Sequence, residues 1–344
     1  MIPMKMKYIT IPKPGKVEIR ETERPELQEG HAILKLLYGG ICGSDMGTYK
    51  GTFLYSEYPR IPGHEFSAEI VEIGENDRGL KAGMIVTANP YFNCGKCYSC
   101  QRGFVNCCTS NQTMGAQRDG AFSQYISMPI ERIYDGKGLP AKILASIEPF
   151  CISYHAVKRA SVKAGDKVLV VGGGTIGYLA AAAAKMVGAE VYVSDISESK
   201  LQFVKELGVD GTILNTSEEA FNEQVKEITG GNGFDVCIEA VGLPSTFMNC
   251  INAAAFRARI AVVGIGKQSL DFFYSIIQTK ELDIFGSRNA LKEDFEELID
   301  FVKDGKANLE PIASAVYEFG DAEKAFKETA ELGAQRLKVL IRFE

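Results

Sequence analysis

Residues 167–195, KVLVVGGGTIGYLAAAAAKMVGAEVYVSD, decide how the chain folds. A short apolar run rich in β-branched residues ends in three glycines, a helical segment of small residues follows, and a second apolar run closes on an aspartate. Gly172, Gly174 and Gly177 fall in a GxGxxG pattern between strand and helix, with Thr175 and Ile176 opening the helix. Glycines there let the backbone close on a pyrophosphate, whose charge is met by free N–H groups at the helix N-terminus. Asp195, at the end of the second strand, is placed to accept hydrogen bonds from ribose hydroxyls and to repel a 2′-phosphate. The expected cofactor is therefore NAD rather than NADP.

The same texture continues outward. SESKLQFVKELG reads as a helix, FDVCIEAVG and RIAVVGIG as further buried strands, and LKEDFEELIDFVKDG as an amphipathic helix. Strands alternating with helices imply a parallel sheet covered by helices. Val241, Gly242, Val263, Gly264 and Ile265, at the ends of the later strands, are expected to form the other wall of the dinucleotide crevice. Before about residue 135 the pattern differs: short apolar runs such as HEFSAEIVEIG and GAFSQYISM are cut by Gly and Pro and read as β-rich. The tail QRLKVLIRF returns to a strand.

A chain of 344 residues suits about two domains. A formal charge of -6 gives no basic field for nucleic acid or anionic lipid, so neither is an expected partner. The opening stretch MIPMKMKYITIPKPGKVEIRE has no apolar run of signal-peptide length, and LAAAAAKMVGAEVYV is too short and interrupted to span a bilayer. The expected location is the cytoplasm, where nine cysteines, an odd number, argue against a disulfide framework.

Five of those cysteines crowd into YFNCGKCYSCQRGFVNCC. Cys94, Cys97, Cys100 and Cys108 form CxxCxxCx7C, a spacing that folds four thiolates around one tetrahedral Zn²⁺ and leaves no coordination site for substrate. Cys107 is the spare, and its adjacency to Cys108 leaves a swap between the two open. Three other fragments carry metal-capable side chains beside Gly or Pro: GGICGSD at 39–45, PGHEF at 62–66 and SIEPF at 146–150.

Together, and in this order, these motifs resemble the zinc-dependent medium-chain alcohol dehydrogenases of the polyol or sorbitol dehydrogenase branch. The resemblance rests on CGSD, GHE, the four-cysteine lobe, EP at 148–149, GGGTIG with Asp195 and the KVLI run, and spans essentially the whole length. IEPFCISYHAVKRA and GSRNA look most like sugar-acid dehydrogenases such as L-galactonate 5-dehydrogenase. The family implies an α/β protein in which a GroES-like β-rich catalytic domain (1–150 and 290–344, zinc lobe about 90–110) accompanies a Rossmann doubly wound parallel-sheet domain (151–289).

Carried over residue by residue, Cys42, His64 and Glu148 match positions that hold a catalytic zinc, and Glu65 a carboxylate beside the metal that can enter its shell. With the four-cysteine lobe this implies two Zn²⁺ per chain. Asp45 matches an acid that orients the histidine through its other ring nitrogen. Ser44 matches a hydroxyl that hydrogen-bonds the reacting alcohol, Lys200 a ribose contact, and Lys338 a basic position near the pyrophosphate. Gly47 stands where some relatives carry a relay histidine, which leaves Glu148 or ordered water as the last proton acceptor.

The implied chemistry is hydride transfer between a secondary hydroxyl of a polyol or sugar acid, L-galactonate or L-gulonate in kind, and NAD. Arg288 and Asn289 match positions near the substrate, with Tyr49, Gln117 and Arg118 as further pocket candidates. His155 is expected to be structural and His31 solvated. L-Threonine or another alcohol is the alternative substrate, a non-catalytic dinucleotide sensor the alternative of another class, and a homo-oligomer, dimer or tetramer, the expected assembly.

Overall fold

The computed structural model describes residues 5–343, so the first four residues of the stretch read above for targeting signals lie outside it. The chain separates into two units, Met1–Glu148 with Leu291–Glu344, and Pro149–Ala290. The first break falls inside a continuous helix, Ile147–Arg159, where no turn residue marks it in the sequence.

The second unit holds a six-stranded parallel sheet in the order Gly211–Leu214, Glu190–Asp195, Lys167–Val171, Phe234–Glu239, Ala254–Val262, Asp283–Gly286. With Lys167–Val171 as the first strand, this is the doubly wound order 3-2-1-4-5-6 of a Rossmann domain. The helix Thr175–Met186 buries Ala180 to Ala184, whose small side chains let its axis approach the sheet closely. Leu169, Val171, Ile213, Phe221, Phe234 and Ile260 belong to one core cluster. Ser197 and Ser217 cap the helices Glu198–Lys205 and Glu218–Thr229, each accepting a backbone N–H three residues on.

The first unit is the β-rich, GroES-like part. Its main sheet runs Ala313–Glu318, Lys338–Arg342, His31–Ile41, Glu65–Ile73, Ile85–Ala88, Ile133–Asp135, with Tyr125–Pro129 also paired to His31–Ile41. The returning tail strand is therefore interior to this sheet: Val339 pairs with Ile41, while on the other side of the same strand Gly40 pairs with Glu65. This register brings the ends of three strands distant in sequence side by side. A core of Ile9, Leu34, Leu36, Phe66, Ile70, Phe122, Phe326 and Ile341 fixes it.

Phe326, on the helix Ala322–Leu332, is fully buried and packs its ring 5.7 Å from that of Tyr49. Replacing it with alanine is expected to destabilise this unit by about 3–5 kcal/mol. The check is a thermal melt, which should show a lowered midpoint, with the circular dichroism of the folded protein unchanged at low temperature.

Candidate active site

The four-cysteine lobe forms as its spacing requires. Cys94, Cys97, Cys100 and Cys108 bring their sulfurs within 4.8 Å of one another, and Cys107 is turned out to solvent. The structure thus resolves the choice between the adjacent pair in favour of Cys108. The backbone N–H groups of Cys94 and Ser110 donate to the Cys108 Sγ at 3.2 and 3.4 Å. Backbone N–H groups of Cys100 and Thr109 hold Cys97 down to about 5, whereas desolvation and the neighbouring Cys97 push Cys100 up to about 11. Four thiols this close cannot all ionise without a cation among them, and Zn²⁺ supplies that charge in the tetrahedral sulfur geometry it prefers.

A second group lies in the first unit at the strand ends described above. The Cys42 sulfur, a His64 ring nitrogen and a Glu65 carboxylate oxygen also lie within 4.8 Å of one another. Cys42 follows the strand His31–Ile41 and caps the helix Gly43–Lys50, while Glu65 opens the strand Glu65–Ile73. A Cβ on Gly40 would come within 2.3 Å of Glu65 Oε2, so only glycine lets that carboxylate lie across the paired strand. His64 and Glu65 are buried, and His64 Nδ1 has no hydrogen-bond partner. Burial works against a charge on His64, yet the Cys42 thiol and the carboxylates of Asp45 and Glu148 raise it well above the ordinary imidazole value. A thiol, an imidazole with an orphaned nitrogen and a carboxylate, in surroundings that favour positive charge, fit a zinc ion.

The structure corrects several expected roles. Glu148 is buried in the same region but falls outside the three-residue group, and its Oε1 accepts a hydrogen bond from the buried Tyr91 hydroxyl. Burial foremost, with Glu65 adding, pushes its carboxyl up to about 7. Asp45 does not hold the second ring nitrogen of His64. Its two oxygens accept the backbone N–H groups of Cys42 (2.9 Å) and Gly63 (3.0 Å), so it fixes the main chain before both ligands.

Lys338 is not a pyrophosphate contact: it is 3% exposed, and its ammonium lies 2.7 and 2.6 Å from the two oxygens of Glu65. Tyr49 packs on Phe326, Gln117 accepts the Thr113 N–H, and the Arg118 guanidinium sits 3.8 Å over the Phe92 ring. His155 is buried as expected, whereas His31 is half-buried, with Nδ1 3.1 Å from the Glu29 carbonyl. Ser44 lies half-buried in the first turn of Gly43–Lys50. Gly47 is buried against Phe53, whose Cβ would lie 3.0 Å from a Cβ at that position. A side chain there would require Phe53 to give way by a few tenths of an ångström.

In the second unit the glycine-rich turn is built as read. Gly172 takes φ 111°, and a Cβ on Gly177 would fall 1.7 Å from the Gly172 carbonyl oxygen. Asp195 braces this turn, Oδ2 accepting the Gly173 N–H (2.7 Å) and Oδ1 the Ser197 N–H (2.8 Å), with the Lys200 side chain beside it. A Cβ on Gly172 would meet Val241, and one on Gly242 would meet Ile265, so the later strand ends do line the turn.

Glu239 is the residue that sequence reasoning missed. Fully buried, it accepts the N–H groups of Val241 (2.9 Å) and Gly242 (2.8 Å) and the Thr246 hydroxyl (2.7 Å) through Oε1, and its carbonyl accepts those of Val263 and Gly264. An acid closing a buried strand in CIEAVG was the available signal. Arg288 is exposed and Asn289 takes φ 52°, just beyond the strand Asp283–Gly286.

This geometry is that of a zinc-binding dehydrogenase, and sequence comparison agrees. Residues 28–137 match the alcohol dehydrogenase GroES-like domain, and residues 175–304 the zinc-binding dehydrogenase domain. The chain is 33% identical over 338 residues to L-galactonate-5-dehydrogenase of Escherichia coli K12, which covers 98% of this chain and 99% of that one. It is 33% identical over 343 residues to sorbitol dehydrogenase of Halalkalibacterium halodurans, with coverage of 98% and 99%. The solved alcohol dehydrogenase rspB of E. coli CFT073, complexed with NADH, superposes with a TM-score of 0.90 at 30% identity, covering 99% of this chain and 100% of that one. The chain belongs to the zinc-type alcohol dehydrogenase family and is an oxidoreductase of that family.

Replacing Cys108 with serine is expected to remove one zinc per chain and to lower the melting temperature, while Cys107→Ser leaves both unchanged. Metal analysis of the two purified variants makes the comparison.

Proposed function

We propose that the chain oxidises a secondary hydroxyl of a polyol or sugar acid, of the L-galactonate or L-gulonate kind, with NAD as hydride acceptor. The observation that carries the reading is the meeting of the half-buried Cys42 with the buried His64 and Glu65 from separated fragments. Those three would hold the catalytic zinc, and Cys94, Cys97, Cys100 and Cys108 a structural one. When bound, the catalytic zinc supplies Lewis-acid polarisation of a hydroxyl, and the dinucleotide accepts the hydride.

The rest falls to side chains of the protein. Asp45 fixes the backbone at Cys42 and Gly63, and so the aim of two ligands. Ser44 would take the proton of the reacting hydroxyl and pass it outward. Glu148, held by Tyr91 with its carboxyl raised to about 7, suits a group that takes and returns that proton near neutrality. Gly172, Gly174, Thr175, Ile176 and Gly177 would seat the pyrophosphate, with Asp195 and Lys200 at the ribose. Val241, Gly242, Val263, Gly264 and Ile265 would form the facing wall, held in place by Glu239.

A sugar acid is favoured over a neutral polyol by Arg288, whose guanidinium suits a carboxylate bidentately, and an L-galactonate-5-dehydrogenase stands among the relatives. Cytoplasmic residence is supported by a use of cysteine that suits metal binding and burial rather than a disulfide framework. Assembly as a homo-oligomer is supported by apolar side chains standing out from the second unit, Phe256 at 69%, Phe273 at 91% and Tyr274 at 78% exposure. Among the described residues no helix is long and apolar enough to cross a membrane.

The decisive experiment is an NAD⁺-linked panel of L-galactonate, L-gulonate, sorbitol, galactitol 1-phosphate and L-threonine with added zinc. Turnover of a sugar acid with the highest kcat/KM is expected; turnover of threonine alone overturns the substrate class, and turnover of nothing on the panel favours a dinucleotide sensor. Hydrogen bonds to a charged partner are worth roughly 1.5–3 kcal/mol, so Arg288→Leu should raise KM for the sugar acid by about 10- to 100-fold. Steady-state kinetics should show KM for sorbitol nearly unmoved.

A further inference from the structure

Asp195 and Glu239 both end parallel strands of the second unit, and what they meet differs in kind. Asp195 is half-buried, with the Lys200 side chain beside it. Glu239 is 1% exposed, and no cation pairs with it among the described residues. Its Oε1 instead collects neutral donors: the N–H groups of Val241 (2.9 Å) and Gly242 (2.8 Å) and the Thr246 hydroxyl (2.7 Å). Thr246 lies in the first turn of the helix Pro244–Ala253, whose N-terminal end also favours a negative charge. Lys280, a cation of the same unit, gives its donors to the carbonyls of Ile251, Asn252 and Ala254. Neutral donors stabilise a carboxylate without cancelling its charge, and at this burial little water screens it.

The sheet order gives that charge its meaning. In a doubly wound sheet the two nucleotides of the cofactor lie across the two halves of the sheet. Asp195, read as the adenosine ribose contact, belongs to the half that ends at Lys167–Val171, and Phe234–Glu239 begins the other. The nicotinamide therefore falls to the side of Glu239. A Cβ on Gly264 would come within 2.4 Å of Glu239 Oε2 and 2.2 Å of the Gly242 nitrogen. The carboxylate thus lies directly behind two glycines of the proposed wall, neither of which has a side chain to cover it. The oxidised nicotinamide ring is cationic, whereas the reduced ring is neutral. We propose that Glu239 sets the preference of the crevice for the oxidation state of its cofactor, its uncancelled charge favouring NAD⁺ over NADH. The same bias eases departure of the reduced cofactor once it has taken up the hydride. A residue that only braced the wall would act on both forms alike.

The inference rests on the reading of the second unit as the dinucleotide site, and calorimetric titration of the intact protein with NAD⁺ and with NADH tests both. If the natural protein binds neither, the cofactor reading fails and this inference with it. Glu239→Gln keeps an oxygen for the same donors and removes the charge. It is expected to raise the ratio Kd(NAD⁺)/Kd(NADH) by roughly threefold or more, the scale on which a full charge acts through weakly screening protein. Because the charge is buried, the change should persist at about 1 M salt, where exposed charges are screened. Thr246→Val, which loosens the wall but keeps the charge, should weaken both forms by the same factor and leave their ratio unmoved. Should Glu239→Gln fail to fold, Glu239→Met in a Thr246→Val background removes the acid and its hydroxyl partner together. An unchanged ratio in a folded neutral variant overturns the proposal, as does an equal shift of the ratio in Thr246→Val. Failure of both neutral variants to fold would make the carboxylate a brace only, and overturns it too.

Discussion

The pairing of the tail strand Lys338–Arg342 with His31–Ile41, itself paired with Glu65–Ile73, is the constraint on which the catalytic unit depends. Strand pairing has a side-chain period of two, so a slip of one residue would send Glu65 or Lys338 to the opposite face. The register places Val339 against Ile41 and Gly40 against Glu65, setting a thiol, a carboxylate and an ammonium at adjoining strand ends. The buried charges there are tolerable only because each meets a partner at close range. Asp45 takes two backbone donors, Glu65 a lysine and Glu148 a tyrosine hydroxyl.

The two groups of metal-capable side chains solve different physical problems. In the cysteine lobe four sulfurs enclose one point, backbone N–H groups stabilise the thiolates, and no ligand is tied to a competing charge. In the catalytic group three side chains converge among the described residues, one of them already ion-paired, and a histidine nitrogen lacks a partner. A saturated sulfur shell suits a clamp on a loop, whereas an unsaturated mixed shell suits a site that must accept and release an oxygen.

The dinucleotide turn shows the same economy of backbone and acid. Gly172 and Gly177 leave no room for side chains, so the turn is shaped by steric exclusion. Asp195 and Glu239, each at the C-terminal end of a parallel strand, hold the surrounding loops by accepting their N–H groups. Asp195 thus braces the turn itself, beside the ribose contact proposed for it.

The sequence by itself determined the features that depend on local spacing. The four-cysteine lobe, the glycine turn and the β-rich and Rossmann textures were legible, because metal geometry and phosphate turns demand fixed offsets along the chain, whereas Cys42, His64 and Glu148, with Glu65 beside them, were candidates only through the family resemblance. Spatial questions were not legible. Glu148 and Glu65 look alike as acids in the sequence, and only the fold gives one the Tyr91 hydroxyl and the other the Lys338 ammonium. Tyr91 and Glu239 carried no motif that announced their contacts. Lys338, more than 270 residues from Glu65, read as a phosphate contact until the sheet placed it on that carboxylate. Tertiary structure alone decided these, because the partner of a buried charge is chosen by strand register and packing, which join positions that no sequence spacing connects.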